Sequence, residues 1–237
     1  MHTDDNLRRQ YLDAMGIPVW ERRALSVALV ADAPVQKTAI PAPAVHPYPP
    51  EASPEWDALA EEVRRCTKCA LHSTRTQTVF GVGNRRAQWM FVGEAPGADE
   101  DRQGEPFVGA AGKLLNAMLA ALGLKREEVF IANVLKCRPP NNRDPQANEV
   151  EQCEPYLIRQ IELIQPKLIV ALGRHAAHSL LKTDLALARL RGQPHSYQNI
   201  PLVVTYHPAY LLRTPSDKRK AWDDLRRART IIAGTAT

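Results

Sequence analysis

A chain of 237 residues with 44% hydrophobic content suffices for one good core and a small appendage, and no apolar run approaches a membrane span. A formal charge of +5 suits a polyanionic partner without establishing one. The polar amino terminus lacks an apolar signal core, which points to the cytoplasm, and four cysteines in that reducing setting favour a metal or cluster over disulfides.

In chain order, residues 7–23 read LRRQYLDAMGIPVWERR. Leu7, Tyr11, Leu12 and Met15 share a helical face, Gly16 is a natural stop, and Ile17 and Trp20 follow. The segment is too short for a domain. Residues 1–23 are either a frayed terminus or a peptide that orders on a partner, with Tyr and Trp as anchors. Residues 24–54 form a linker, dominated from residue 31 by Ala and Pro. The globular unit, 55–237, opens on a helix signal. Ser53 caps, Pro54 fits the first turn, Glu55 favours the positive helix end, and the helix delivers Cys66-Thr67-Lys68-Cys69.

Four apolar runs then read as strands, at 89–92, 129–134, 168–172 and 202–206. Helical patterns follow them at 112–122, from Asp144-Pro145 to about 164, at 174–181 and at 216–232. Pro155 inside the second pattern predicts a kink or two shorter helices. The alternation predicts an α/β fold, a three-layer α/β/α unit around a central four-stranded parallel sheet. Between the first strand and its helix lies GEAPGADEDRQGEPFVGAAG, residues 93–112. A loop of this length is functional or disordered. Glu94, Asn133, Gly173 and His207 fall at the carboxyl ends of the four strands, so the topology brings them to one rim, where open α/β sheets keep their chemistry.

Cys66 and Cys69 form a CxxC pair, while Cys137 and Cys153 stand singly. A zinc ribbon prefers two pairs; one pair plus two singles suits a cubane iron–sulfur cluster at least as well, and buried apolar cysteines are the third reading. Arg64, Arg65, Lys68, Lys136 and Arg138 would offset thiolate charge.

GEAPG at 93–97, GEPFVGAAGKLL at 104–115, NVLKCRPPNNRDP at 133–145 and HPAYLLR at 207–213 together resemble the family 4 uracil-DNA glycosylases, the iron–sulfur type. The resemblance implies a 4Fe-4S cluster on Cys66, Cys69, Cys137 and Cys153, and uracil-containing DNA as partner. It implies a uracil pocket lined by Gly93, Glu94, Ala95 and Asp99, Phe107 stacked on the flipped base, Asn133 on its amide edge and His207 on O2. Glu94, Asn133 and His207 would carry catalysis by a monomeric, monofunctional enzyme. A glycosylase must extrude its base. Asparagine matches O4 and N3–H of uracil with one donor and one acceptor, and cytosine would leave both unpaired. A donor on O2 stabilises the charge that grows as the bond breaks.

Ala95 stands where family 1 enzymes carry a water-positioning aspartate. Glu94, Asp99 or Asp101 can serve instead, or the leaving group departs first. No Arg-Ile-His loop is present, so covalent trapping is not expected. Tyr210, Leu211 and Leu212 would wedge into the duplex with Arg213 on phosphate, or they begin a helix with core leucines. Arg138, Asn141, Asn142, Arg143 and Lys218-Arg219-Lys220 are further phosphate candidates. The loop glycines do not follow a P-loop. RRQYLDAMGIPVWERR resembles the start of the clamp-loader psi subunit, which implies docking on DnaX and a tether to the replication machinery. The alternative is a replisome-associated protein that kept the fold without turnover; intact Glu94, Phe107, Asn133 and His207 argue against it.

Overall fold

A computed structural model of the chain describes residues 2–16 and 54–234. Helix α1 (His2–Ala14) comes first. Helix α2 (Pro54–Arg65) opens the main body, followed by β1 (Val82–Gly83), β2 (Trp89–Gly93), α3 (Ala98–Gln103) and α4 (Ala110–Leu122). Then come β3 (Phe130–Asn133), α5 (Ala147–Ile164), β4 (Leu168–Leu172), α6 (Arg174–Leu181), α7 (Leu187–Leu190), β5 (His195–Tyr197), β6 (Ile200–Thr205), α8 (Pro208–Arg213) and α9 (Lys218–Gly234).

The sheet order is β1-β3-β2-β4-β6-β5. The four central strands are parallel, as expected, and in register from Gly93 opposite Asn133 to Leu172 opposite Thr205. Two short antiparallel strands, β1 and β5, extend the sheet to six. With two and three residues they carry no run long enough to read as strands.

Side chains along a strand alternate between faces. Trp89, Phe91, Ile131, Val170 and Val203 pack on one face with helices α4, α8 and α9. Met90, Val92, Phe130, Ile169 and Val204 pack on the other with α2, α5 and α6. Covering both faces is why these strands are continuously apolar.

Pro155 does not split its helix: α5 runs unbroken from Ala147 to Ile164. Pro155 and Glu151 are both exposed, so the Glu151 carbonyl that loses its i+4 donor faces water. At the amino terminus, Leu12 and Met15 are buried against the body in the same core as Leu114, Met118 and Leu211. Ile17, Trp20, the linker and the Ser53 cap lie outside the described residues.

Candidate active site

Strand β2 ends at Gly93, and this position admits no side chain. A Cβ there would run into Asn133 Oδ1 and the Phe107 ring. The loop that follows is stapled by Glu100. Its Oε2 accepts from the Gly97 amide at 3.1 Å, and its Oε1 accepts from Val108 at 2.9 Å and Gly109 at 3.3 Å. Arg126 Nη2 donates to the Pro106 carbonyl. These bonds hold Phe107 in the left-handed region, φ 55°, which costs a non-glycine residue about 1–3 kcal/mol and is found mostly at functional sites.

The strand ends open into a cleft of about 750 Å³ whose walls include Glu94, Ala95, Phe107, Asn133, His207 and Arg213. Asn133 is buried, and its Oδ1 has no hydrogen-bond partner. A buried, unpaired amide oxygen is costly unless something outside the protein fills it. Lys136, itself buried, donates from Nζ to the Asn133 carbonyl at 2.8 Å and to Gln160 Oε1 at 2.6 Å, which fixes the strand end.

His207 caps α8: its Nδ1 accepts from the Ala209 amide at 3.1 Å. The ring proton therefore sits on Nε2. Burial, aided by Arg213, lowers its pKa to about 4, so the ring is neutral at physiological pH. Its centroid lies 5.5 Å from that of Phe107, the planes tilted by 31°.

Glu94 faces a second group. His175 Nε2 lies 3.8 Å from Glu94 Oε2 and 3.3 Å from Asp144 Oδ2. Arg174 Nη2 is 3.0 Å from His175 Nε2 and 3.4 Å from Asp144 Oδ2. Burial first, and the Asp144 charge second, raise the Glu94 pKa to about 7, while Arg174 pulls it down. Sequence reasoning used Asp144 only as a helix cap and missed His175. Both follow the rule that found Glu94 and His207: His175 sits just past the carboxyl end of β4, and Asp144 lies on the loop beyond β3.

Other expected residues lie elsewhere. Asp99 is not on the cleft wall; it pairs with Arg102 at 2.5 Å, because α3 turns it outward. Asp101 is buried and accepts from the Thr76 amide at 2.9 and 3.1 Å, a tie between loops rather than a water activator. Leu211 is a core residue, 1% exposed, and does not serve as a wedge; α8 turns it inward. Leu212 is 44% exposed. Tyr210 is built into the wall: it stacks on Tyr206 at 5.0 Å and donates its hydroxyl to Asp217. Arg143 lines the cleft with its guanidinium on Glu149.

All four cysteines line one pocket, Cys137 and Cys153 buried and Cys66 and Cys69 half-buried. Arg75 donates to Cys137 Sγ at 3.1 Å and to the Cys66 carbonyl at 2.9 Å. The Lys136 backbone amide donates to Cys153 Sγ at 3.2 Å. Arg75 was not among the expected cations, and the Lys136 ammonium points toward Asn133 instead. Burial raises the Cys137 pKa and pushes Cys153 up to about 12. Four converging thiols, with an arginine aimed at one sulfur and a backbone amide at another, fit a thiolate-ligated metal cluster.

Comparison with known proteins places this geometry. The Uracil DNA glycosylase superfamily matches residues 80–226. The type-4 uracil-DNA glycosylase of Archaeoglobus fulgidus is 49% identical over 72% of this chain and 90% of its own length. Those of Saccharolobus solfataricus and Sulfurisphaera tokodaii are 45% and 46% identical, over 75% and 74% of this chain and 86% and 84% of theirs. With a matched core, a shared α/β architecture and a cleft at the strand ends, the chain belongs to the uracil DNA glycosylase superfamily.

Proposed function

We propose that the cleft takes a uracil turned out of DNA and that the chain hydrolyses its N-glycosidic bond, leaving an abasic site. Uracil-DNA glycosylase activity is supported by the type-4 relatives. The observation that carries the base assignment is the buried, unpartnered Asn133 Oδ1 beside the neutral His207 ring. Oδ1 accepts from uracil N3–H and the amide NH₂ donates to O4. Cytosine would oppose acceptor to acceptor and donor to donor, a mismatch that a buried site rejects strongly. His207 Nε2–H donates to O2, where charge grows as the sugar becomes cationic. Phe107 stacks on the base.

Outside the pocket, Leu212 fills the gap in the duplex with Arg213 on an adjacent phosphate. Among the described residues the cleft wall carries no lysine, which favours a water-only, monofunctional reaction over an imine. Cys66, Cys69, Cys137 and Cys153 would hold the 4Fe-4S cluster, which would tie α2, the β3–α5 loop and α5 together. The chain works as a cytoplasmic monomer at the nucleoid. Its amino-terminal peptide docks on DnaX; since Leu12 and Met15 are buried on the body, that docking uses residues after Gly16 or displaces α1.

Incubating the protein with a labelled uracil oligonucleotide, then cleaving abasic sites with alkali, tests the activity. Excision of uracil but not cytosine or thymine is expected, and Asn133→Ala lowers kcat/KM at least about a hundredfold. An inert wild type overturns the assignment. Binding of the 1–23 peptide to DnaX at tens of micromolar tests the tether.

A further inference from the structure

Adjoining the cleft is a second groove, about 430 Å³ and open to solvent, lined by Val134, Val150, His178 and Ser179 among others. Two residues belong to both walls, Glu94 and His175. They form the partition between the spaces. Ser179 Oγ, on the wall of this groove, is buried without a hydrogen-bond partner, the mark of a water-binding position. The gap of 3.8 Å between His175 Nε2 and Glu94 Oε2 is too long for a direct hydrogen bond, which leaves Glu94 Oε2 open to a water.

We propose that the attacking water reaches the sugar from this second groove and is held at the partition by Glu94 beside the His175 ring, with Asp144 and Arg174 as the residues that position His175. This rests on the glycosylase reading above. An extruded base would fill the cleft itself, and the adjoining groove shares Glu94 with it, so a water can reach that carboxylate from there. Glu94 takes a proton from the water as the oxygen bonds to C1′. The C1′–N1 bond breaks with its electron pair leaving on uracil, where the His207 N–H stabilises O2. The Glu94 proton then returns to solvent. A divalent cation between Glu94, Asp144 and His175 is disfavoured, because the Arg174 guanidinium already supplies the positive charge there.

The charged and titratable groups around this partition are Asp144 from the loop, Glu151 and Glu154 from α5, Arg174 and His178 from α6, Lys182 just after it, and His207 from the cap of α8. Glu94 acts as base only when ionised, so excision rises with pH through about 7. Asp144→Asn removes a charge that raises the Glu94 pKa, and the acidic limb moves to lower pH. Arg174→Gln removes one that lowers it, and the limb moves up. Opposite shifts from two neighbours are a signature that general loosening of the fold would not give.

The test is single-turnover excision across pH, with KM measured alongside. Ser179→Leu fills the groove from α6, and Ala147→Phe, at an exposed position on its rim, blocks it without entering the core. Both, and His175→Ala, are expected to lower kcat about tenfold or more at unchanged KM. The proposal is overturned if both plugged variants and His175→Ala turn over like wild type, or if the two charge variants leave the limb in place. A wild type that excises no uracil would fail the glycosylase reading instead.

Discussion

At Gly93 a single methyl group would separate an open pocket from a blocked one. Gly93→Ala sets a Cβ against Asn133 Oδ1 and the Phe107 ring, whose left-handed backbone leaves it little room to yield. Excision is expected to fall about a hundredfold, with the circular dichroism spectrum retained and the thermal midpoint lowered by the strain. His207→Ala removes the O2 donor, and kcat is expected to drop about 10²–10³-fold. Its pKa of about 4 carries a second consequence. The unfolded chain takes up that proton near pH 6.5 and the folded chain does not until about 4. Stability from this group is full above the upper value and is lost as pH falls between the two. His207→Gln should therefore soften acid denaturation in that window, read from thermal midpoints at pH 7 and pH 5. Residues within a contiguous motif, such as Asn133 and His207, were legible in the sequence. Asp144 and His175 stand at comparable strand-end places, but their pairing joins separate loops, and Arg75 reaches Cys137 from far along the chain, so no spacing announces these contacts.

Element-scale features divide by length. Runs of five apolar residues buried on both faces declare themselves as strands; β1 and β5 owe their pairing to neighbours already in place. Pro155 misled for an energetic reason: an 18-residue helix packed on the body tolerates the penalty of one proline on its exposed side. Pro155→Ala should still raise stability, by about 1–3 kcal/mol, in urea denaturation. The cysteine pocket spans α2, the β3–α5 loop and α5, so its filling is a property of those elements together. In chelator-stripped protein Cys153, pushed up to about 12, should resist iodoacetamide at pH 8 far longer than Cys66 or Cys69, which mass mapping of the labelled sites would report. Cys153→Ser should yield a colourless protein with a lower melting temperature.

Across the whole molecule, the amino-terminal helix is the feature whose meaning changed most between sequence and structure. Its apolar stripe was readable, but its docking place was not, because the groove is assembled from α4, α8 and α9, far along the chain. Leu12→Ala should cost α1 its hold on the body, raising amide exchange in residues 2–16 while excision persists. The parallel arrangement gives the molecule a polarity as well. Every residue assigned to recognition hangs from the carboxyl ends of the strands, whereas exposed Lys167 immediately precedes β4 at the opposite end. A support or dye coupled through residue 167 therefore presents the cleft outward, and enzyme immobilised there should retain its turnover, while coupling through position 213 should extinguish it.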